Sequence, residues 1–159
     1  MSLAIPHRDP EFSSTDTVPQ ATLGGLHHYH DATYGFWILM YAQLHGAADA
    51  TQYAVCEVSD QGLGCVTVDR NDDMIALVFG GVCCGSGTAA SGHYLYVVKS
   101  GRYYLQTDGG VAAADALVVH TTDSQADTIA TGLEQSFGFA LTADTTPATY
   151  YATAQLMGL

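Results

Sequence analysis

"HYLYVVKSGRYYLQT", residues 93–107, is the stretch on which the fold turns. Aromatic and β-branched residues crowd both sides of Lys99-Ser100-Gly101, a composition that suits strands. In an extended chain Tyr94, Tyr96 and Val98 share one face, while His93, Leu95 and Val97 share the other. Both faces are apolar, so one is expected against a core and the other under a cover such as a second copy. Gly101 can take a positive φ, and the three residues Lys99-Ser100-Gly101 therefore predict a hairpin turn between two strands.

The same texture extends outward. "YGFWILMYAQL" (34–44) reads as a buried strand, with Trp37 in the core. "QYAVCEV", "GCVTV", "MIALVFGGV", "ALVVHT", "SFGFALT" and "TYYATAQL" follow at intervals of about ten residues, separated by Gly, Asp, Asn and Ser. "VAAADAL" and "DTIATGL" are the two places where a short helix is expected. The class is all-β: a small antiparallel β-barrel or sandwich over residues 23–159. Three of the four prolines, Pro6, Pro10 and Pro19, lie in the first nineteen residues, so residues 1–22 read as an extended arm.

Charge narrows the range of partners. Arg8, Arg70, Lys99 and Arg102 stand against sixteen acidic residues. A chain this acidic is repelled by phosphate backbones and by anionic membrane surfaces, so no direct nucleic-acid or membrane binding is expected. No apolar run approaches the roughly 20 residues of a membrane-spanning helix. The N-terminus shows no basic segment followed by an apolar one, so residence in a cytoplasm is expected. In such a compartment Cys56, Cys65, Cys83 and Cys84 read as reduced, buried thiols. Cys56 and Cys65 flank "SDQGLG", however, and a disulfide across that hairpin is the alternative.

The motifs that suggest chemistry are weak individually. In "LGGLHHYHD" (23–31), read as the first strand, His28 and His30 point one way and His27 the other. A His-x-His pair chelates zinc only with two further ligands; Asp31 or His45 could supply them in principle, but no second cluster has ligand spacing. "GSGTAASG" (85–92) imitates a dinucleotide-binding loop, but the strand-like "HYLYVV" follows it instead of a helix N-terminus. "HTTDS" (120–124) crowds His120, Asp123 and Ser124 into one turn, whereas a catalytic triad draws its members from separate elements. No catalytic residue, metal or cofactor is expected.

One resemblance gives these pieces a meaning. Tyr34-Gly35-Phe36-Trp37 within "LGGLHHYHDATYGFWILMYAQL", then "MIALVFGGV", "SGHYLYVVKSGRYYLQTDGGV", "DALVVHTTDSQADTIATG", "QSFGFALTAD" and "TYYATAQLMGL" follow one another in a distinctive order. Over residues 23–159 that order resembles the small head decoration (cement) proteins of tailed phages. The resemblance implies a homotrimer bound to the major capsid protein on the outer surface of the virion. It would be assembled in the host cytoplasm, would stabilise the expanded head and would have no catalytic activity. The arm residues Ile5, Pro6, His7, Arg8, Pro10, Phe12 and Pro19 are then the expected capsid contacts. His28, His30, Tyr94, Tyr96 and Tyr103 are the expected subunit interface. A carbohydrate-binding or adhesin β-sandwich module is the alternative, because ten tyrosines and one tryptophan on a β scaffold also suit sugars.

Overall fold

The computed structural model describes residues 14–32, 35–70, 74–120, 122–129, 135–144 and 150–158. The protein is all-β. The strands are β1 (Leu26–Asp31), β2 (Gly35–His45), β3 (Val55–Ser59), β4 (Cys65–Thr67), β5 (Met74–Cys83), β6 (Tyr94–Thr107), β7 (Ala116–Val119), β8 (Ala126–Thr128), β9 (Gly138–Ala140) and β10 (Tyr150–Met157). The helix expected at 111–117 does not form, and of the one expected at 127–133 residues 130–133 lie outside the described residues while its first two are in a strand. Ala116 and Leu117 belong to β7, and Asp127 and Thr128 to β8. Segments this short do not hold a helix by themselves, and ladder pairing with neighbours decides their state.

The expected hairpin at 93–107 does not form either. Those residues make one strand of 14, β6, and the reason lies in its partners. Residues 94–100 pair with β2, from Gln43 opposite Tyr94 to Ile38 opposite Ser100. Val97 and Val98 pair with β5 on the other edge. From Ser100 to Thr107 the strand pairs with β10. Both halves are thus supplied with ladders by distant strands, and a turn would forfeit them. Gly101 still uses its freedom, at φ 118°, but to kink the strand and not to reverse it.

The strands close two circuits. Hydrogen-bonded neighbours run β2–β4–β3–β5–β6 and back to β2, and a second ring runs β6–β10–β9–β7–β8 and back to β6. The sheet is mixed, not purely antiparallel, because β2–β4 and β6–β8 pair in parallel. Before the kink Leu95 and Val97 face Ala42, Leu44, Cys56, Val66 and Cys83. Beyond it Tyr103 and Leu105 join Val98, Trp37, Phe137 and Leu156 in the larger cluster. The kink therefore changes which side of β6 is buried in which cluster. Each fully buried apolar side chain of this size contributes about 1.5–3 kcal/mol.

A buried cation ties the first circuit to the second. Arg70 donates to the carbonyls of His120 at 2.8 Å and Val55 at 2.9 Å, and more weakly to those of Val68 and Gln125. Its Nη1 lies 3.8 Å from the buried Glu57 carboxylate. The planar fork of guanidinium is suited to such divergent acceptors. From Ser14 onward the segment assigned to the arm lies on the chain's own body. Ser14 is buried and donates to Ser86 O at 3.0 Å, Asp16 bridges to Tyr94, and the Gln20 N–H donates to the Tyr41 hydroxyl at 2.8 Å.

Candidate functional site

β1 and β2 form a hairpin whose two faces differ sharply. The period of two puts His27 and Tyr29 on the inner face with Trp37, Leu39 and Tyr41. His27 meets Tyr96 edge-on at 5.7 Å, and Tyr29 packs on Trp37 at 5.4 Å. The outer face carries Leu26, His28 and His30 opposite Met40, Ile38 and Phe36. Phe36 is 78% exposed and Leu26 55% exposed, and the His30 ring lies 4.7 Å from that of Phe36. Among the described residues this face holds no carboxylate and β1 pairs only with β2. Sequence periodicity predicted the division of the histidines. It did not reveal the apolar company they keep, which depends on the register across the hairpin.

The tyrosines expected at an interface fall in two places. Tyr94 and Tyr96 are half-buried against Tyr41, with centroids 6.0 and 4.9 Å away. Tyr103 is a core residue, 1% exposed and packed between Trp37 and Tyr53. The interface assignment for Tyr103 is therefore corrected: the expected turn at 99–101 is a kink in one continuous strand, and beyond it Tyr103 points into the larger core cluster. Pro19 is exposed on the segment that crosses the body. Ile5, Pro6, His7, Arg8, Pro10 and Phe12 lie outside the described residues.

Metal-ligand geometry is approached once among the described residues, at Asp108, His120 and Asp127, whose ligand atoms lie within 4.8 Å of one another. These come from three elements: the residue after β6, the residue after β7, and β8. Sequence reading saw His120 only within its own turn. His120 Nδ1 accepts the Thr122 N–H at 2.8 Å, so the neutral ring carries its hydrogen on Nε2, facing the carboxylates. That nitrogen is a donor there and has no lone pair to offer a cation. Asp123, from the same turn, accepts the Arg70 N–H at 2.8 Å.

The four cysteines are free and buried, so the alternative of a Cys56–Cys65 disulfide is not realised. The β3–β4 register pairs Glu57 with Thr67 and Val58 with Val66, which does not set the two cysteines opposite each other. Burial pushes the Cys56 and Cys83 thiols well above the ordinary range. "GSGTAASG" forms a loop pinned by Ala50–Ala89 pairing, and β6 follows it. An open cleft of about 170 Å³ lies between Val78, Phe79, Phe137 and Met157, with Gln135, Ser136 and Gly158. It is smaller than the several hundred Å³ usual for a small-molecule site.

One further surface emerges only from the pairing of β6 with β10. Tyr104 and Tyr151 stack at 5.1 Å, and Tyr53 stands edge-on to both. Tyr53 is held at φ 73°, a conformation an aromatic residue rarely adopts.

No family model matches the chain, and no curated protein matches it.

Proposed function

We propose that the protein is a structural component of a tailed-phage head: a decoration (cement) protein that binds the outside of the major capsid shell as a homotrimer and stabilises the expanded particle. The observation that carries this reading is the outer face of the β1–β2 hairpin. Leu26, Phe36 and Ile38 with His28 and His30 make a carboxylate-free strip that ends at Met40, which packs on the smaller core cluster, on a chain of net charge −12. Charge repulsion between copies, or between this chain and another acidic surface, is least at such a strip. Its exposed apolar area is gained only by covering it. The order of segments, which resembles that of head decoration proteins, supports the same reading, and the acidic surface suits a position outside the shell, away from packaged DNA.

The test is co-sedimentation with expanded heads that lack decoration. The full chain is expected to bind, and Leu26→Ser with Phe36→Ser to bind at least about tenfold more weakly, as for loss of buried interface anchors. Deleting residues 2–13, which leaves Ser14 and its contacts in place, separates the contribution of the arm from that of the strip. No binding by the full chain would sink the reading, and equal binding by all three proteins would remove the strip and the arm from it.

The carbohydrate-binding module is favoured by a different observation, the strained Tyr53 beside the Tyr104–Tyr151 stack. Aromatic platforms of this kind suit sugar rings. Glycan binding that Tyr104→Ser abolishes, in a chain indifferent to phage heads, would select this second reading.

A further inference from the structure

Asp108, His120 and Asp127 meet where β8 closes on β6. The closure is thin: one parallel pair, Thr107 with Ala126, and the Asp108 N–H donating to Ala126 O at 3.0 Å. Beside it two carboxylates flank one imidazole nitrogen. His120 Nε2 lies 3.6 Å from Asp108 Oδ2 and 3.7 Å from Asp127 Oδ2. The other Asp127 oxygen accepts the Thr128 N–H, while Asp108 Oδ1 is buried and no donor reaches it. The charged groups packed nearby are engaged elsewhere. Arg70 is held by four carbonyls and Glu57, Asp123 accepts the Arg70 N–H, and Asp144 accepts from the Thr107 hydroxyl and the Val111 N–H.

We propose that this cluster is an acid-operated clasp: a proton taken up between Asp108 and Asp127 draws β8 onto β6 and stiffens the second circuit. Without that proton the cluster carries two negative charges and a single hydrogen. With it, one charge is removed and the repulsion between the two neighbouring carboxylates falls. Burial, followed by the charge of Asp127, holds the Asp108 carboxyl above the usual carboxylate range, and His120 opposes this in part. The sign follows. Over the interval between the ordinary and the raised value, the folded chain holds a proton that the unfolded chain has released. Stability therefore rises as pH falls through that interval. Thr122 sets the direction of the device, because its N–H keeps the imidazole hydrogen on the nitrogen that faces the carboxylates.

Native-state hydrogen exchange on the full chain reads the clasp directly. Corrected for intrinsic rate, protection of the Asp108 N–H is expected to rise about threefold or more between about pH 7 and about pH 4.5, with a smaller change at Leu95 in the first circuit. Asp108→Asn is expected to be well protected already at neutral pH and to lose the pH dependence. Asp127→Asn, which removes the neighbouring charge and leaves Asp108 intact, is expected to do the same. Flat protection in the unaltered chain, or lower protection in Asp108→Asn at neutral pH, would overturn the proposal. So would a nitrogen spectrum placing the His120 hydrogen on Nδ1. Millimolar magnesium, calcium or zinc raising protection at neutral pH as far as acid does would overturn it in favour of a cation site.

Discussion

Trp37 and Tyr103 meet edge to face with centroids 4.8 Å apart, and the Trp37 indole N–H donates to the Arg102 carbonyl at 2.9 Å. The pair locks β2 to β6 just beyond the kink, where the strand passes from one circuit to the other. Tyr103→Ala is expected to lower the unfolding free energy by about 3–5 kcal/mol, the cost of emptying a large aromatic site. Denaturant titration followed by Trp37 fluorescence measures it. A loss under about 1 kcal/mol would mean that Tyr103 is not packed as described.

Gly101 is the residue that makes this passage possible. A Cβ there would lie 2.6 Å from the Phe36 carbonyl oxygen and 2.8 Å from Trp37 Cδ1, at a φ of 118°. Gly101→Ala thus adds backbone strain to a clash and should cost about 2–4 kcal/mol. Gly92 makes the control. Its φ is also positive, but nothing lies within 4 Å of its Cβ position, so Gly92→Ala should show the conformational cost alone. Thermal unfolding of the two variants side by side separates the terms.

Arg70 should tolerate no conservative replacement. Lysine keeps the charge but cannot span four carbonyls and the Glu57 carboxylate. Arg70→Lys is expected to lose about 2–4 kcal/mol and Arg70→Ala about 3–5 kcal/mol, because a buried carboxylate then loses its cation. Calorimetry of both variants provides the comparison.

These positions also mark what could be read from the sequence and what could not. Alternation and aromatic content gave the strands, including β2, β5 and β10, because both depend on local composition. The division of the histidines between two faces came from the same period of two. The single long β6 was hidden, since a Lys-Ser-Gly turn and a Lys-Ser-Gly kink look alike until the partners of both flanks are known. Tyr103 was misassigned for that reason. The Asp108–His120–Asp127 cluster and the Tyr53–Tyr104–Tyr151 trio join residues far apart in the chain, and only strand pairing brings them together.

The outer strip of the hairpin should be dispensable to the fold. Leu26→Ser and Phe36→Ser are each expected to change the unfolding free energy by less than about 0.5 kcal/mol, as substitutions at exposed positions do. Circular dichroism melts at low protein concentration test this. A large loss would identify the strip as packed within one molecule.

The thiols offer a pH test of burial. Cys56 and Cys83 keep their protons in the folded chain well past the ordinary thiol range, because burial opposes the thiolate. The unfolded chain releases them near its ordinary value of about 8.5. Stability should therefore be unaffected below that value and fall as pH rises above it. Unfolding measured at about pH 7.5 and about pH 9.5 should show the decline, and a Cys56→Ala, Cys83→Ala double variant should lose part of its slope. Native protein should also resist iodoacetamide until denaturant is added.

A strand that serves as a wall of two rings has a consequence for how the molecule comes apart. Loss of β6 itself breaches both rings, so, apart from local opening of the thin β6–β8 seam, the two cannot melt in turn as independent modules would. The chain should pass between its folded and unfolded forms in one sharp, all-or-none transition. Intermediates in which one ring is folded and the other wholly unfolded should not be populated in that transition, despite the division of the core into two clusters.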